Sequence, residues 1–329
     1  MINRFLNRQP VATAPFHHPE LASKITALTK HEQFDIVQFE HSFLAPYRVA
    51  LHSTFKGAAV LSMHNIGVQQ YRSILDMTRG VRRIPAAIKC WLMEGWEAIA
   101  AGEFQHVITV SECDRERLLE MGAQAQVSVV ENGVDCTALQ PLPPPESGTE
   151  EIIFIGTMGY LPNRDAARYM AKEILPIIRL SRPGCQLNLV GSGGDEHLSD
   201  LVEPGAVNVT GRVEDPIPYY ARSKIAVVPL RSGGGSRLKI LEALALGRPV
   251  VSTTLGQEGL SMRDGLEILT ADDTQAFADH VIQLLENDSA TDALAKAGRK
   301  KVESDYDWRL LANRLLNVYE ELVNPGTRS

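Results

Sequence analysis

Residues 225–246 read IAVVPLRSGGGSRLKILEALAL, and the fold is decided in this stretch. Ile225–Pro229 is a short, continuous apolar run rich in β-branched residues, the signature of a buried strand. Arg231–Ser236 follows with three successive glycines, where no regular element can continue. From Ser236 to Leu246 apolar residues recur at helical spacing, with Ser236 as the expected N-cap. A buried strand that passes through a glycine loop into a helix is the unit of a parallel α/β sheet.

Working outward, the same alternation extends through the chain. Ahead of residue 140, strands are expected at Asp35–Phe39, Ala58–Leu61, His106–Val110 and Val127–Val130, with helices at Pro19–His31, Pro85–Gly102 and Ser111–Met121. Beyond it, strands are expected at Ile152–Ile155, Leu187–Val190, Val207–Thr210, Pro249–Ser252 and Glu267–Leu269, with helices at Pro162–Leu180 and Thr274–Leu285. Pro141–Gly148 is a stiff, polar segment that reads as a linker, and Asn132-Gly133 before it reads as a turn. The fold expected is therefore α/β, in two doubly wound Rossmann-like lobes, residues 1–140 and residues 141–307.

In open parallel sheets, ligands bind beyond the carboxyl ends of the strands. In the second lobe those positions carry Gly156-Thr157-Met158-Gly159, Gly191-Ser192-Gly193-Gly194, Gly211-Arg212-Val213 and the 231–236 loop, so a ligand can approach bare backbone there. Glycines leading into a helix start present free N–H groups at the positive end of the helix, an arrangement suited to a diphosphate. Arg237 and Lys239 put two cations into a first turn, where the helix dipole disfavours them unless an anion is bound. Glu242, one turn further, is placed to accept hydrogen bonds from ribose hydroxyls. The competing reading is a tight turn followed by a solvated amphipathic helix. GxGxxG fails at Glu196, which excludes a dehydrogenase loop.

The whole chain has 329 residues, 33 Lys and Arg against 40 Asp and Glu, and 44% hydrophobic residues. That acidic balance argues against general nucleic-acid binding. The four cysteines have no CxxC or zinc spacing and read as reduced thiols. No apolar run is long enough to span a bilayer, and a cytoplasmic location is expected.

The run GGGSRLKILEALALGRPVVSTTLGQEGL resembles the donor-binding signature of retaining glycosyltransferases of the large family 4 type, in a subgroup associated with exopolysaccharide and envelope-glycan assembly. The resemblance continues through FIGTMGYLPNRDAARYM, LNLVGSGG, VTGRVEDPIPYYARSKIAVVPL and ESDYDW, and earlier through VLSMHNIG, VITVSECDRERL and VVENGVD. It implies the GT-B arrangement of two facing Rossmann-like lobes, a C-terminal helix in 308–329 (supplied by Trp308–Leu322) that crosses back to the first lobe, a nucleotide-diphosphate sugar as donor on the second lobe, and a glycan or lipid-linked acceptor on the first. It implies no metal, the leaving diphosphate being met by Arg237, Lys239 and the helix end at Ser236. Carried over by motif, His64 faces the transferred sugar, Gly156, Gly234, Gly235 and Ser236 contact the donor, Gly211 and Arg212 lie near its base, Glu242 at its ribose, and Glu258, Gly259 and Leu260 near its sugar.

Three departures stand out. The first of two glutamates usual in the family falls on Gly234. The loop usually read as Gly-Arg is Gly156-Thr157, with Pro162 and Asn163 beyond it. The strand and glycine-rich loop with which members begin are not found ahead of Asp35, so the first lobe is expected to be incomplete. A sugar-nucleotide epimerase of related fold and a non-catalytic or remnant nucleotide-sugar binder are the alternatives. Finally, Ile84, Ile88, Trp91, Leu92, Gly95 and Ile99 share one face of a helix beside Arg79, Arg82, Arg83 and Lys89. That face either packs on the lobe's own sheet or rests on an anionic membrane.

Overall fold

A computed structural model of the protein describes residues 18–235 and 237–324. The chain forms two compact units, one drawn from Met1–Glu131, Gly233–Ser236 and Ala312–Ser329, the other from Asn132–Ser232 and Arg237–Leu311.

In the first unit, β1 (Ile36–Glu40), β2 (Ala58–Met63), β3 (His106–Thr109) and β4 (Gln126–Val129) form a parallel sheet in sequence order. Alternate side chains face opposite sides, as the period of a strand requires. Leu61 and Val107 join Met93, Trp96 and Ala101 in one core, whereas Val60 and Ile108 pack with Leu315, Val318 and Tyr319. Around the sheet lie α1 (Pro19–His31), a 3-10 segment Ser42–Ala50, α2 (Gly67–Met77), α3 (Arg83–Gly102) and α4 (Glu112–Glu120). Ser111 caps α4 as expected, accepting from the Asp114 N–H. The sequence reading did not find α2, because Ile66 occupies its cap position and no local side chain caps it.

Of the two readings of the Ile84–Ile99 face of α3, packing on the sheet is not what the structure has. Cys90, Met93, Trp96, Glu97, Ala100 and Ala101 turn inward, while Ile84, Ile88, Trp91 and Ile99 are 64%, 50%, 49% and 48% exposed. The helix carries two apolar stripes, and the one with smaller residues and Glu97 makes the closer packing surface.

In the second unit, β5 (Glu151–Ile155), β6 (Gln186–Val190), β7 (Val207–Val209), β8 (Ile225–Val228), β9 (Val250–Ser252) and β10 (Leu269–Thr270) pair in the order β10-β9-β8-β5-β6-β7. All registers are parallel. The chain starts at the centre, winds to β7 and returns on the other side through β8, so the strand order reverses between β5 and β8. A crevice forms at such a switch point. The expected helix over 162–180 is α5 (Leu161–Tyr169), a π turn at Met170–Ile174, and α6 (Leu175–Ser181). After the short α7 (Gly194–His197) and α8 (Ile217–Arg222) come α9 (Leu238–Ala245), α10 (Thr274–Glu286) and α11 (Asp288–Asp305); α12 (Trp308–Val323) starts here, and its residues from Ala312 count with the first unit.

Two loop expectations change. The proline run is anchored to the second unit, with the Leu142 N–H on the Leu246 carbonyl (3.0 Å) and Arg248 Nη2 on that of Pro143 (2.8 Å). Asn132-Gly133 is no turn. Val134 instead pairs with the Tyr306–Trp308 segment, donating to the Tyr306 carbonyl at 2.9 Å and accepting from the Trp308 N–H at 3.1 Å. Glycine is required at 133 because a Cβ would stand 2.3 Å from the Tyr306 carbonyl oxygen.

The closest backbone approach joins the loops after β5 and β6. Gly191 has φ +138°, and a Cβ on it would lie 2.0 Å from the Gly156 carbonyl oxygen. Gly191→Ala is therefore expected to destabilise the protein by more than about 2 kcal/mol through strain and overpacking. Gly205→Ala, at φ +75° with open space around it, is expected to cost only about 1–2 kcal/mol. Urea denaturation of the two variants checks the difference.

Candidate functional site

The carboxyl edges of β8, β5, β6 and β7 bring the glycine loops of the second unit together. The Gly156 N–H donates to the Val190 carbonyl (3.0 Å), Met158 to Ser192 (2.8 Å) and Gly191 to Gly211 (3.1 Å). Gly211, at φ +66°, would place a Cβ 3.2 Å from the Asp195 carboxyl group. Arg212 follows it fully at the surface.

Helix α9 opens at Leu238 with Arg237 in the cap position, one to two residues later than expected. Ser236, expected to cap it and to contact the ligand, lies outside the described residues. Arg237 is 4% exposed, and its Nε and Nη2 donate to the Leu255 carbonyl at 3.3 and 3.1 Å. Lys239 turns under the first glycine loop. Its Nζ donates to Asn163 Oδ1 at 2.7 Å and lies 4.5 Å from the centre of the Phe154 ring. A Cβ on Gly156 would stand 3.1 Å from that ammonium, so glycine here leaves the charge open to whatever lies against the loop. Asn163 is held in turn by its amide on the Thr157 carbonyl at 3.0 Å. Asn163, a departure from the resemblance, is thus the hydrogen-bond partner of Lys239.

Burial, followed by the nearby Arg237 charge, brings the Lys239 ammonium down to about 7, with Glu242 opposing. Burial raises the Glu242 carboxyl, and Lys239 opposes that shift. Glu242 makes no side-chain hydrogen bond among the described residues. An anion arriving beside Lys239 therefore meets a group that gains most by taking up a proton.

Arg231, the first cation of the motif, serves the scaffold. It forks onto Asp165 at 2.9 and 3.1 Å and lies 4.0 Å from the Tyr169 ring centre, which pins the start of the loop to α5. Gly233 and Gly235 take φ +108° and +91°, which explains those two glycines. Gly234 has another reason: residues 233–235 count with the first unit, and there a Cβ on Gly234 would stand 2.8 Å from the Gln69 side chain. A side chain at 234 requires the Gln69 side chain to move aside. Glu258, Gly259 and Leu260 line a concavity of about 600 Å³ with Leu230, Arg231 and Thr253.

In the first unit His64 stands at the end of β2, as expected from its position after a strand. Its Nε2 lies 2.7 Å from Glu40 Oε2, and its ring stacks on that of His41 with centroids 4.1 Å apart. Glu40 and His41 were missed in the sequence, although they end β1 by the rule that selects His64. Burial works to raise the Glu40 carboxyl, but hydrogen bonds from Gln38, His64 and Ser62 bring it below its ordinary value. Burial and then the neighbouring His64 lower the His41 imidazole. The cluster thus holds an ionised carboxylate beside two stacked rings, suited to hydrogen-bonding hydroxyl groups.

This fold, two α/β units with parallel sheets, is that of the GT-B glycosyltransferases. Residues 149–287 match the family "Glycosyl transferases group 1", and residues 4–138 match "Glycosyltransferase Family 4". The chain is 29% identical over 233 residues to a phosphatidyl-myo-inositol mannosyltransferase of Mycobacterium leprae, covering 67% of this chain and 60% of the relative. Over 246 residues it is 26% identical to a glycogen synthase of Mycobacterium tuberculosis, covering 71% and 56%. The chain therefore spans less than two thirds of the length of these relatives. Among solved structures, sucrose-phosphate synthase of Thermosynechococcus elongatus superposes with a TM-score of 0.72 at 19% identity, over 94% of this chain and 78% of that one. HepE of Anabaena, solved with UDP-glucose, gives 0.66 at 16% identity over 96% and 85%.

The lysine sets a pH signature. An anion such as a nucleoside diphosphate placed beside Lys239 would favour its protonated form, so binding of such an anion is expected to take up roughly one proton above about pH 7 and to weaken by up to about ten-fold per pH unit there. Calorimetry in buffers of different ionisation enthalpy measures the uptake. Lys239→Met should abolish it.

Proposed function

We propose that this chain is a retaining glycosyltransferase that moves a sugar from a nucleotide-diphosphate sugar to a glycan or lipid-linked acceptor in polysaccharide or envelope-glycan assembly. The observation that carries the reading is Lys239, half-buried beside Gly156 with Arg237 near it, at the edge where the glycine loops after β5, β6 and β7 meet. As the sugar leaves, negative charge grows on the diphosphate. A cation held in a poorly hydrated site favours that charge more in the transition state than in the ground state. In this reading Lys239 and Arg237 take the charge without a metal, Glu242 accepts from the ribose, Arg212 and the backbone at Gly211 flank the base, and Glu258, Gly259 and Leu260 line the sugar side. His64 hydrogen-bonds the transferred sugar. The mannosyltransferase and glycogen synthase relatives support sugar transfer, and retention follows the family resemblance.

The acceptor side of the proposal includes a membrane surface. Among the described residues no helix is long and apolar enough to cross a membrane. The exposed stripe Ile84, Ile88, Trp91 and Ile99 on α3, next to exposed Arg79, Arg82, Arg83 and Lys89, suits peripheral contact with anionic lipid. Lipid-linked acceptors reside at such a surface.

Turnover of UDP- and GDP-linked sugars with lipid-extracted acceptors, read by nuclear magnetic resonance of the anomeric centre, tests the transfer and its stereochemistry. Lys239→Ala is expected to weaken nucleotide-diphosphate binding by about 1.5–3 kcal/mol. Donor binding without any product would point to the non-catalytic binder, and an epimerised free nucleotide sugar to the epimerase.

Vesicle sedimentation addresses the membrane. Each basic residue at an anionic surface adds about 1 kcal/mol. Changing Arg79, Arg82 and Arg83 together to Glu should release the protein from phosphatidylserine vesicles and leave UDP binding intact. No binding by the unaltered protein at low salt would remove the membrane from the proposal.

A further inference from the structure

We propose that Glu97 of α3 is the positioning residue for the Glu40–His41–His64 cluster, holding from below the two loops that carry it. The inference rests on His64 being a site residue. Glu97 is fully buried. Its Oε1 accepts from the Gly67 N–H at 2.9 Å and from Ser42 Oγ at 3.2 Å, and its Oε2 accepts from the Val68 N–H at 3.0 Å. Gly67 and Val68 open α2, three residues beyond His64. Ser42 directly follows His41. Because β1 and β2 are neighbours, with Glu40 opposite Ser62, the two loops leave the sheet side by side, and one carboxylate ties both.

The cluster needs such a tie. His41 has φ +66° and ψ 146°, and is the only non-glycine residue with positive φ among those described. A conformation of this kind persists only where its surroundings over-determine it. On one side the His41 N–H donates to the Ser62 carbonyl at 2.8 Å, and on the other Ser42 is bound to Glu97. Gly67 is pressed equally close to α3, since a Cβ there would stand 2.6 Å from Met93 Cε and 3.0 Å from Glu97 Oε1. The start of α2 therefore has little freedom to shift, and neither has the His64-Asn65 segment leading into it.

A helix start can be capped by a local Ser, Thr, Asp or Asn without burying a charge. Here Ile66 occupies that position, and the capping group is a carboxylate from another helix. Burial pushes the Glu97 carboxyl up to about 7 against the pull of its three donors, with Asp114 of α4 adding to the rise. Tyr71 of α2 also faces it. The burdensome choice does what a local cap does not: it joins the loop after β1 to the loop after β2.

The test reads the cluster directly. Ring resonances of His41 and His64, assigned through His41→Gln and His64→Gln, are recorded for Glu97→Ala and for Glu97→Gln, which keeps the volume and one acceptor oxygen. Both rings are expected to shift in Glu97→Ala, and less in Glu97→Gln, while His106 and His280 stay in place. Transfer assays should then show kcat reduced roughly ten- to hundred-fold in Glu97→Ala, as displaced groups cause, with donor KM unchanged and partial recovery in Glu97→Gln. If Glu97→Ala does not fold, the Glu97→Gln spectrum decides by the same two rings. Unshifted His41 and His64 signals in a folded variant overturn the proposal, as does an equal disturbance of all four histidines. Because the ring signals need no substrate, their outcome is separate from whether the chain transfers sugar.

Discussion

An ammonium group short of water governs the second unit. Lys239 keeps its Nζ between Asn163 Oδ1 and the Phe154 ring, with Arg237 close enough to depress its basicity further. It sits in the first turn of α9, where the helix dipole adds to the penalty. The surrounding geometry makes sense around that charge. Glycine at 156 leaves it uncovered, Gly191 allows the loop after β6 to lie on Gly156, and Arg231 is spent on Asp165 and so holds the third loop still. Strand order supplies the rest, since the reversal between β5 and β8 opens the edge at which these loops gather.

The first unit has a buried charge of opposite sign and better placement. Glu97 lies at the start of α2, where two N–H groups and the positive end of the helix receive it. Both units thus hold an ionisable group near a helix start just beyond the sheet. In the second unit the charge has one neutral hydrogen-bond partner, Asn163, and a ring face beside it. In the first it is consumed internally, and the loops it fastens carry Glu40, His41 and His64. On the proposed reading, one charge meets the ligand and the other holds the histidine cluster in register.

The surface of α3 shows how packing chooses between equivalent stripes. The two apolar faces of this helix are similar in composition, yet the one with Ala100, Ala101 and Cys90 allows close approach and carries Glu97 to α2. The bulkier Ile84, Ile88 and Trp91 are left outside beside a basic segment. Periodicity alone cannot rank two such stripes.

What the sequence by itself determined is the parallel α/β architecture and the glycine loops, and it singled out Lys239, Arg237, Glu242 and His64 as candidates. Each of these rests on local patterns: short β-branched runs, turn glycines, cations in a first helical turn, and residues just beyond a strand. Tertiary structure alone decided that Arg237 turns to the Leu255 carbonyl, that Asn163 is the partner of Lys239, and that the Gln69 side chain lies against Gly234. It alone revealed α2, whose cap comes from Glu97, and the cluster of Glu40 and His41 with His64. The reason is sequence distance: Glu97 lies 30 residues from Gly67, Asn163 76 from Lys239, and Glu40 24 from His64. Contacts of that span leave no periodic trace, because the sheet and not the neighbouring residues brings the partners together.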